Sequence, residues 1–407
     1  MTRPLPRGGT LLLAAIAGTA IANNYAVQPA LGVVAGDLQV STAVIGLVPT
    51  AALVGCTIGF ALLLPLTDRV APGRLVPVQL SALVAALIAA ASASGAAVLL
   101  AAYVLIGACA SVAAQAGNIA GRHAAPGRRG AGVAMVAAGM SAGILLSRLA
   151  GGALTDALGW RRMLLVFAAL ALLGACAAVL VLPRERPYSD RGYRSALASL
   201  PPLLRDVPPL RNAVAVGGLW YFAFTLVWVA LALDLARPPH SLTPTAIGLY
   251  SLAGLLGFVA LPLTGRLIDR YSPRTVITAS MAAAAVGVAL LTTGLGAPPV
   301  TAAGLALFDA GCFAAQAGNQ SRIIALDPQR SGSLSSVYLV LYFTIGALGT
   351  ALAAPLLDAF GWRGTALTAL AALLLAAAVA GRFAPGVTVR RARAETCPPP
   401  GRRPGPR

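Results

Sequence analysis

The amino-acid sequence predicts an all-α membrane protein of twelve transmembrane helices, arranged as two parallel six-helix repeats. Three observations support this. Of its 407 residues, 58% are hydrophobic and only 10% are charged, whereas a soluble protein has about 25% charged residues. Long stretches such as 11–36 and 43–67 carry no charge at all. The sequence AQAGN, a polar interruption in apolar surroundings, occurs at both 114–118 and 315–319.

The apolar stretches are long enough to cross a bilayer. About 20 apolar residues span the hydrocarbon core as a helix, and the only other spanning structure is a closed barrel, whose strands would alternate in polarity. The first run is too long for the core of a signal peptide and no clear cleavage site follows it, so we expect a permanent span. The predicted spans are 10–36, 43–66, 75–95, 97–120, 131–156, 161–183, 210–235, 244–267, 275–295, 298–324, 333–358 and 362–383.

The basic residues orient this array. All 30 are arginine, and they account for the net charge of +18. With a cytoplasmic N-terminus, 25 of them face the cytoplasm, four face outward, and Arg148 lies within a span. This asymmetry follows the positive-inside rule, so the charge indicates membrane topology and not a nucleic-acid partner. We predict a multi-pass protein of the bacterial inner membrane with both termini in the cytoplasm.

The repeat extends beyond AQAGN. The sequence TDR at 67–69 corresponds to IDR at 268–270, and GWR at 159–161 recurs at 361–363. Six spans separate equivalent points, so both halves have the same orientation and the repeat is parallel. The predicted divisions are a first bundle at 1–183, a cytoplasmic linker at 184–209, a second bundle at 210–383 and a disordered cytoplasmic tail at 384–407, which could touch anionic lipid heads.

Two loops resemble the signature of the major facilitator superfamily, which has the form G-x-L-x-D-R followed by basic residues. The second half carries it in full, and the first half has Leu64 in place of the glycine. The matching residues are Gly265, Leu267, Asp269, Arg270 and Arg274, and in the first half Leu66, Asp68, Arg69 and Arg74. The stretches 23–31, 145–152 and 319–328 are similar to a bacterial branch grouped with drug and sugar efflux permeases.

The resemblance implies secondary active transport by alternating access. It also implies that spans 1, 4, 7 and 10 line a cavity and that spans 2, 5, 8 and 11 form the contact between halves. One departure concerns the fifth span, where drug/proton antiporters carry G-x-x-x-G-P-x-x-G-G. Here Ser147 and Arg148 stand in place of Gly-Pro, which puts antiport and the direction of export in doubt.

Arg148 and Asp309 are the two charges placed deep in predicted spans. An ionisable group there costs at least about 2.5–3.5 kcal/mol and faces a cavity or a partner. Counting ~1.5 Å per residue puts them roughly 12 Å and 15 Å below the outer face. They form either a static ion pair that holds the halves or a functional pair that serves substrate charge recognition or proton coupling. In the second case Arg148 is a fixed cation and Asp309 can carry a proton.

Other polar residues in spans are candidates for lining the cavity or for helix contacts, and both alternatives stay open here. Four interrupt the first span, namely Asn23, Asn24, Tyr25 and Gln28. Four come from the two AQAGN copies, namely Gln115, Asn118, Gln316 and Asn319. Aromatic residues of the seventh span could supply a wall of the cavity, namely Trp220, Tyr221, Phe222 and Trp228.

The cytoplasmic loops suggest a conformational latch. The carboxylates of Asp68 and Asp269 could pair with Arg122 or Arg322, or cap a neighbouring helix. By resemblance, Arg69, Arg74, Gly265, Arg270 and Arg274 belong to the same latch.

The leading functional prediction is a proton-linked exporter of a small organic molecule, acting as a monomer in the bilayer. The alternative is an uptake symporter or uniporter for a small anionic metabolite, suggested by Arg148. We predict no enzyme activity, because the longest non-membrane stretches, at 184–211 and 384–407, are too short for a folded domain. Neither a nucleotide-binding motif nor HExxH occurs, so no cofactor and no metal is expected.

Overall fold

The computed structural model describes residues 8–123, 129–185, 200–254, 270–326 and 331–382, and in these ranges it is helical and contains no strand. We number the α-helices in chain order. They are α1 Gly9–Ala22, α2 Leu31–Leu38, α3 Thr42–Ile45, α4 Leu47–Leu62, α5 Pro72–Ala91, α6 Ala96–Cys109, α7 Val112–Arg122, α8 Arg129–Leu158, α9 Trp160–Val181, α10 Leu200–Asp206, α11 Pro208–Leu235, α12 Pro244–Leu249, α13 Pro273–Leu291, α14 Pro298–Leu326 and α15 Ser331–Gly381. Short 3₁₀ turns lie at Gln28–Ala30, Leu64–Asp68 and Tyr250–Gly254.

Within the described ranges, nine helical stretches are long and apolar enough to cross a membrane. The longest, α15, changes direction at Gly361, where φ is 62°. A positive φ is accessible to glycine at little cost. This glycine opens the second GWR sequence and divides α15 into arms that correspond to the predicted spans 333–358 and 362–383.

The first predicted span is not one continuous helix. Helix α1 ends at Ala22, a turn follows, and a 3₁₀ segment at Gln28–Ala30 leads into α2. Pro29 explains part of the break, because it has no N–H to donate and its ring clashes with the carbonyl four residues earlier. The chain therefore has irregular backbone at mid-span, where residues 23–30 are buried. Bilayers tolerate such backbone only where it is buried in protein or lines a cavity.

Small residues bring α8 close to its neighbours. A β-carbon placed on Gly143 would lie 2.3 Å from the carbonyl oxygen of Gly18 on α1. One on Gly152 would lie 2.2 Å from the carbonyl oxygen of Pro244 on α12. Such backbone approaches are the usual way in which membrane helices gain packing energy. The glycines that match the antiporter-type motif therefore allow α8 to pack closely against α1 of the first half and α12 of the second half.

Contacts between the two halves follow the helices that the resemblance predicted. Helix α4 packs along α15, and α8 packs against α12. The hydroxyl groups of Thr50 and Thr350 lie 2.9 Å apart across the first of these contacts. Next to the second contact, Ser251 Oγ in the 3₁₀ turn after α12 donates to the carbonyl oxygen of Leu145 on α8 at 3.2 Å. The predicted limits of the two bundles and the linker remain predictions.

Candidate functional site

Arg148 is the most completely buried cation of the described residues, with 2% of its surface exposed. Helix α8 places it inside the protein, at the point where α8 faces the broken first span. Its Nε donates to Oε1 of Gln28 at 2.9 Å. Its Nη1 and Nη2 have no hydrogen-bond partner among the described residues. The guanidinium group is thus fixed at one edge, and its other two nitrogens are buried without an acceptor from the described residues in this conformation.

Aromatic rings surround this guanidinium group. Its Cζ lies 4.1 Å from the ring centre of Trp228, 4.9 Å from that of Tyr25 and 5.6 Å from that of Phe224. A cation over an aromatic face is attracted by the negative face of the ring, by about 2 kcal/mol or more where water is excluded. These contacts, and the bond to Gln28, keep the buried charge in place without a carboxylate partner.

Asp309 lies on α14 and has no exposed surface. Its Oδ1 accepts a hydrogen bond from Nε1 of Trp228 at 3.1 Å, and its Oδ2 has no partner among the described residues. The absence of a side chain at Gly254 makes room for Oδ2, since a β-carbon there would lie 2.7 Å away. Asp309 therefore combines deep burial with one free oxygen that could bind a proton.

The indole of Trp228 connects the two charges. Among the described residues, ion pairs within 4.0 Å join other arginines to Asp37, Asp68 and Asp358, and Arg148 with Asp309 is not one of them. Arg148 and Asp309 therefore form no direct ion pair in this conformation, and their role as a pair stays a prediction. Trp228 instead contacts Arg148 with its ring and Asp309 with its N–H.

Two tyrosines meet at the centre, one from each half. The hydroxyl groups of Tyr25 and Tyr221 lie 3.0 Å apart, and both residues are 3% exposed. Tyr221 stacks on Tyr342 with ring centres 4.0 Å apart. Phe60 and Phe343 meet at 4.8 Å across the same interface. The centre of the protein is a cluster of aromatic rings to which both halves contribute.

The remaining polar residues of the first span are also buried. Asn23 bonds to the carbonyl oxygen of Thr19 on its own helix, at 2.7 Å. Asn24 donates to Sγ of Cys56 on α4, at 3.1 Å. With Tyr25 and Gln28, they form a buried set at the helix break. Two members of this set, Tyr25 and Gln28, contact groups on other helices that belong to the site around Arg148.

The two AQAGN copies play unequal parts. In the first copy Gln115 is buried and donates to the carbonyl oxygen of Leu63 and to Gln79, while Asn118 is exposed. In the second copy the asparagine is buried instead. Asn319 donates to the carbonyl oxygen of Ala213 at 2.8 Å. These bonds join helices within each half, as expected of polar contacts between membrane helices.

Gln316 differs from its counterpart in the first copy. It is half-buried and accepts a hydrogen bond from the hydroxyl of Tyr338 at 2.7 Å. Tyr338 also lies 3.4 Å from Nδ2 of Asn319. The second copy thus joins α14 to α15 as well as to α11.

The predicted latch is partly visible. Asp68 Oδ1 pairs with Nη2 of Arg122 at 2.8 Å, which is one of the two pairings that the sequence suggested. Arg322 instead donates to Oδ1 of Asn212 at 3.0 Å. Two other described members have local contacts: Arg69 donates to the carbonyl oxygen of Pro65, and Arg270 lies over the ring of Tyr271. Arg274 donates to the carbonyl oxygen of Gly381 at the end of α15, and Arg74 is exposed. Gly265 and Asp269 lie outside the described residues.

A second contact between halves lies at the end that the arginine distribution assigns to the outside. Oδ2 of Asp156, near the end of α8, accepts from the backbone N–H of Thr245 at 2.8 Å. Thr245 belongs to the first turn of α12, where backbone N–H groups lack partners within the helix. The carboxylate of the first half thus caps a helix of the second half.

A small cavity adjoins Arg148. Its volume is about 10 Å³, enough for a single water molecule. The residues that line it are Gln28, Pro29, Arg148, Trp228, Leu231, Ala232 and Ile247. Both halves contribute to this wall, so the cavity must widen or close when the halves move relative to one another.

Buried charges where two helical halves meet, in a chain with several helices long enough to cross a membrane, are typical of membrane transport proteins. The comparisons with known proteins agree. The sequence profile of the Major Facilitator Superfamily matches residues 13–350 and, in a second alignment, 213–403. The chain belongs to this superfamily.

Related sequences carry the same general description. A protein described as a "Probable transporter" from Streptomyces coelicolor is 32% identical over 249 residues, which cover 61% of this chain and 58% of that protein's length. An "Uncharacterized transporter", YgaY of Escherichia coli, is 27% identical over 370 residues, covering 90% of this chain and 94% of its own.

Solved structures share the fold. A bacterial homologue of the human lysosomal transporter Spinster, in an inward-facing and unoccupied conformation, superposes with a TM-score of 0.74 at 15% identity, covering 92% of this chain and 95% of its own. The nucleoside transporter NupG gives 0.73 at 12% identity, covering 91% and 98%. The human organic anion transporter MFSD10 gives 0.68 at 19% identity, covering 92% and 99%. At these identities the likeness concerns the fold alone.

Part of this site was not predicted from the sequence. Phe224, Tyr342 and Phe343 all belong to the central aromatic cluster. A signal for Phe224 was present, because it follows Trp220 by four residues and precedes Trp228 by four, and residues at this spacing share one face of a helix.

Proposed function

We propose that this protein is a proton-coupled secondary transporter that exports a small organic molecule by alternating access. The observation that carries the proposal is the placement of Arg148 and Asp309 on the same indole ring, that of Trp228. Arg148 comes from the first half of the chain, and Trp228 and Asp309 from the second. A change in the charge of Asp309 therefore acts at a contact between the moving parts.

The proposed cycle uses the different chemistry of the two groups. Arginine does not lose its proton in proteins, so Arg148 is a fixed cation. Asp309 can carry a proton, and its charged form is stabilised by Trp228 and by the nearby cation. When Asp309 takes up a proton, the electrostatic support across the indole falls, which favours separation of the halves. Return of the proton restores this support.

The coupling role is tested by Asp309→Asn in proteoliposomes with an imposed pH gradient, screened over a panel of small organic molecules. We expect loss of gradient-driven transport while exchange of substrate across the membrane is retained, because the amide keeps the shape of the side chain but cannot cycle a proton. The matched control is Asp358→Asn in the same half, whose exposed carboxylate pairs with Arg237. Wild-type gradient-driven transport in Asp309→Asn would remove this residue from the coupling step.

The second candidate function is uptake of a small anionic metabolite by symport or uniport. Two observations favour it, the free nitrogens of Arg148 and the replacement of Gly-Pro in the antiporter-type motif. If the substrate is a monoanion, the dependence of the transport rate on membrane potential distinguishes uptake by proton symport from export in exchange for a proton. Symport with one proton moves no net charge, whereas exchange of an exported monoanion for one proton moves two charges in the same electrical sense. At ~100 mV this is worth roughly 4.6 kcal/mol, at about 2.3 kcal/mol per charge.

A further inference from the structure

We infer that Arg148 binds the carboxylate group of a small monoanionic substrate that has an apolar body. This assignment deepens the proposed function and rests on it, since it names the class of molecule that the transporter carries. It starts from one feature of the site. A buried guanidinium group, 2% exposed, lines a cavity and has two nitrogens without a partner among the described residues.

The orientation of the guanidinium group selects a planar acceptor. Nε is held by Gln28 at 2.9 Å, which leaves the edge formed by Nη1 and Nη2. This edge presents two parallel N–H groups that match both oxygens of a carboxylate, and charge-assisted bonds of this kind are about twice as strong as neutral ones. The rings of Trp228 and Tyr25 lie close to the same group, with centres 4.1 Å and 4.9 Å from its Cζ. The edge formed by Nη1 and Nη2 is therefore the part of the group that we assign to the ligand.

The cavity wall indicates what is attached to the carboxylate. Apart from Arg148 and the amide of Gln28, it consists of an indole, a proline and three aliphatic residues, and it contains no acidic group. Such a wall favours an apolar body and offers nothing to an ammonium group. Its volume of about 10 Å³ in this conformation is enough for one water molecule, so the site must widen before it can hold a carboxylate with an apolar body. Ile247 lies on α12, so movement of α12 away from α8 would widen it.

The charge count favours a monoanion. Arg148 is the only cation among the residues that line the cavity, and Asp309 lies at the other end of the indole. A dianion would bring a second charge without a partner into a buried site, which is costly. A neutral molecule would leave the guanidinium nitrogens without the charge-assisted bonds that compensate for their burial. A single carboxylate gives the guanidinium nitrogens charged acceptors and brings no second charge into the buried site.

Equilibrium binding to the full-length protein in detergent tests this inference without any gradient. The probes are acetate, butyrate, octanoate and benzoate, compared with butyramide and benzamide as neutral isosteres and with phthalate as a dianion. We expect at least one monocarboxylate to bind, at least about tenfold more tightly than its amide, and more tightly than phthalate. Equal affinity for acid and amide, tighter binding of phthalate, or failure of every monocarboxylate to bind would overturn the inference.

Variants of Arg148 test whether the carboxylate binds to this residue. Arg148→Gln should lose the preference for acid over amide, and Arg148→Lys, which keeps the charge but not the two parallel donors, should weaken acid binding at least about tenfold. The control is Arg161→Gln, at the predicted outer end, which should bind like the wild type. If Arg148→Gln does not fold, the lysine variant decides. If Arg148→Lys binds the acid as tightly as the wild type does, the two parallel N–H groups of Arg148 are not required and the proposed bidentate contact is refuted.

The two proposals fail separately. If Asp309→Asn keeps gradient-driven transport while monocarboxylates still bind through Arg148, proton coupling is wrong and the substrate class stands. If gradient-driven transport depends on Asp309 but its substrates carry no carboxylate, the substrate class is wrong and the proposed function stands.

Discussion

Replacing Gly152 by alanine should shift the protein away from this conformation. The added β-carbon would lie 2.2 Å from the carbonyl oxygen of Pro244, whereas ordinary contacts begin at 3.4 Å. Helices α8 and α12 would have to separate locally by about 1.2 Å (3.4 − 2.2), and the three nearest atoms, in Pro244 and Thr245, are backbone atoms that cannot rotate away. Overpacking of this kind costs ~1–3 kcal/mol, which is a roughly 5- to 150-fold change in a conformational equilibrium.

The measurement is the distance between spin labels at Leu158 on α8 and Leu249 on α12, both of which are exposed. We expect a larger population at long distance in Gly152→Ala than in the wild type. Gly248→Ala should act in the same direction, because its β-carbon would lie 2.6 Å from the carbonyl oxygen of Arg148.

The matched control is Gly174→Ala on α9, whose β-carbon would meet its nearest neighbours at 3.6 and 3.7 Å. It should leave the distance distribution unchanged. If Gly152→Ala folds and gives the same distribution as Gly174→Ala, the contact between α8 and α12 does not depend on backbone approach, and the reasoning is refuted.

Three further predictions concern the two ends of the protein. Asp68→Asn should leave membrane insertion intact but slow turnover, because the half-exposed pair with Arg122 is worth only about 0.2–1 kcal/mol; a normal transport rate would make the loop purely topogenic. Arginine and indole partners lower the pKa of Asp37, so its contribution to stability is present above the unfolded pKa and is lost as the pH falls through the folded one. Asp37→Asn should therefore flatten the acid limb of the thermal-stability profile, and an unchanged limb would contradict this. A cysteine at Gly130 should react only with reagents added on the cytoplasmic side and one at Ser241 only with reagents added outside, since both positions are exposed; the reverse pattern would overturn the predicted orientation.

The fold was predictable because the bilayer imposes it. Apolar runs, arginine asymmetry and the repeated sequences were enough to indicate a helical transporter, since each reflects a requirement of the membrane and not of a particular substrate. The break after Ala22 was less accessible. The run 11–36 contains no charge, and the polar residues within it are compatible with either a continuous or a broken helix. What distinguishes the two is the set of partners, such as Cys56 for Asn24, which come from elsewhere in the chain.

The site was predictable in its charges but not in its geometry. Arg148 and Asp309 can be identified from the sequence, because the free-energy cost of a charge within a membrane span is high and such residues usually have a function. Their relation to Trp228 depends on how α8, α11 and α14 meet, and no sequence spacing encodes the rotation of three separate helices. For the same reason the two AQAGN copies, identical in sequence, bury different members, Gln115 in one and Asn319 in the other.

The position of Trp228 has a practical consequence. Its ring lies 4.1 Å from the Cζ of Arg148, and its N–H is bonded to Asp309, so the indole lies in a field set by both charged groups. Emission from an indole shifts in wavelength when such a field changes. The chain has three other tryptophans, Trp160, Trp220 and Trp362, and replacing them by phenylalanine would leave a single indole, which can be excited selectively at wavelengths where tyrosine does not absorb. The protein thus carries its own spectroscopic reporter, one that needs no attached dye and reads the charged site directly.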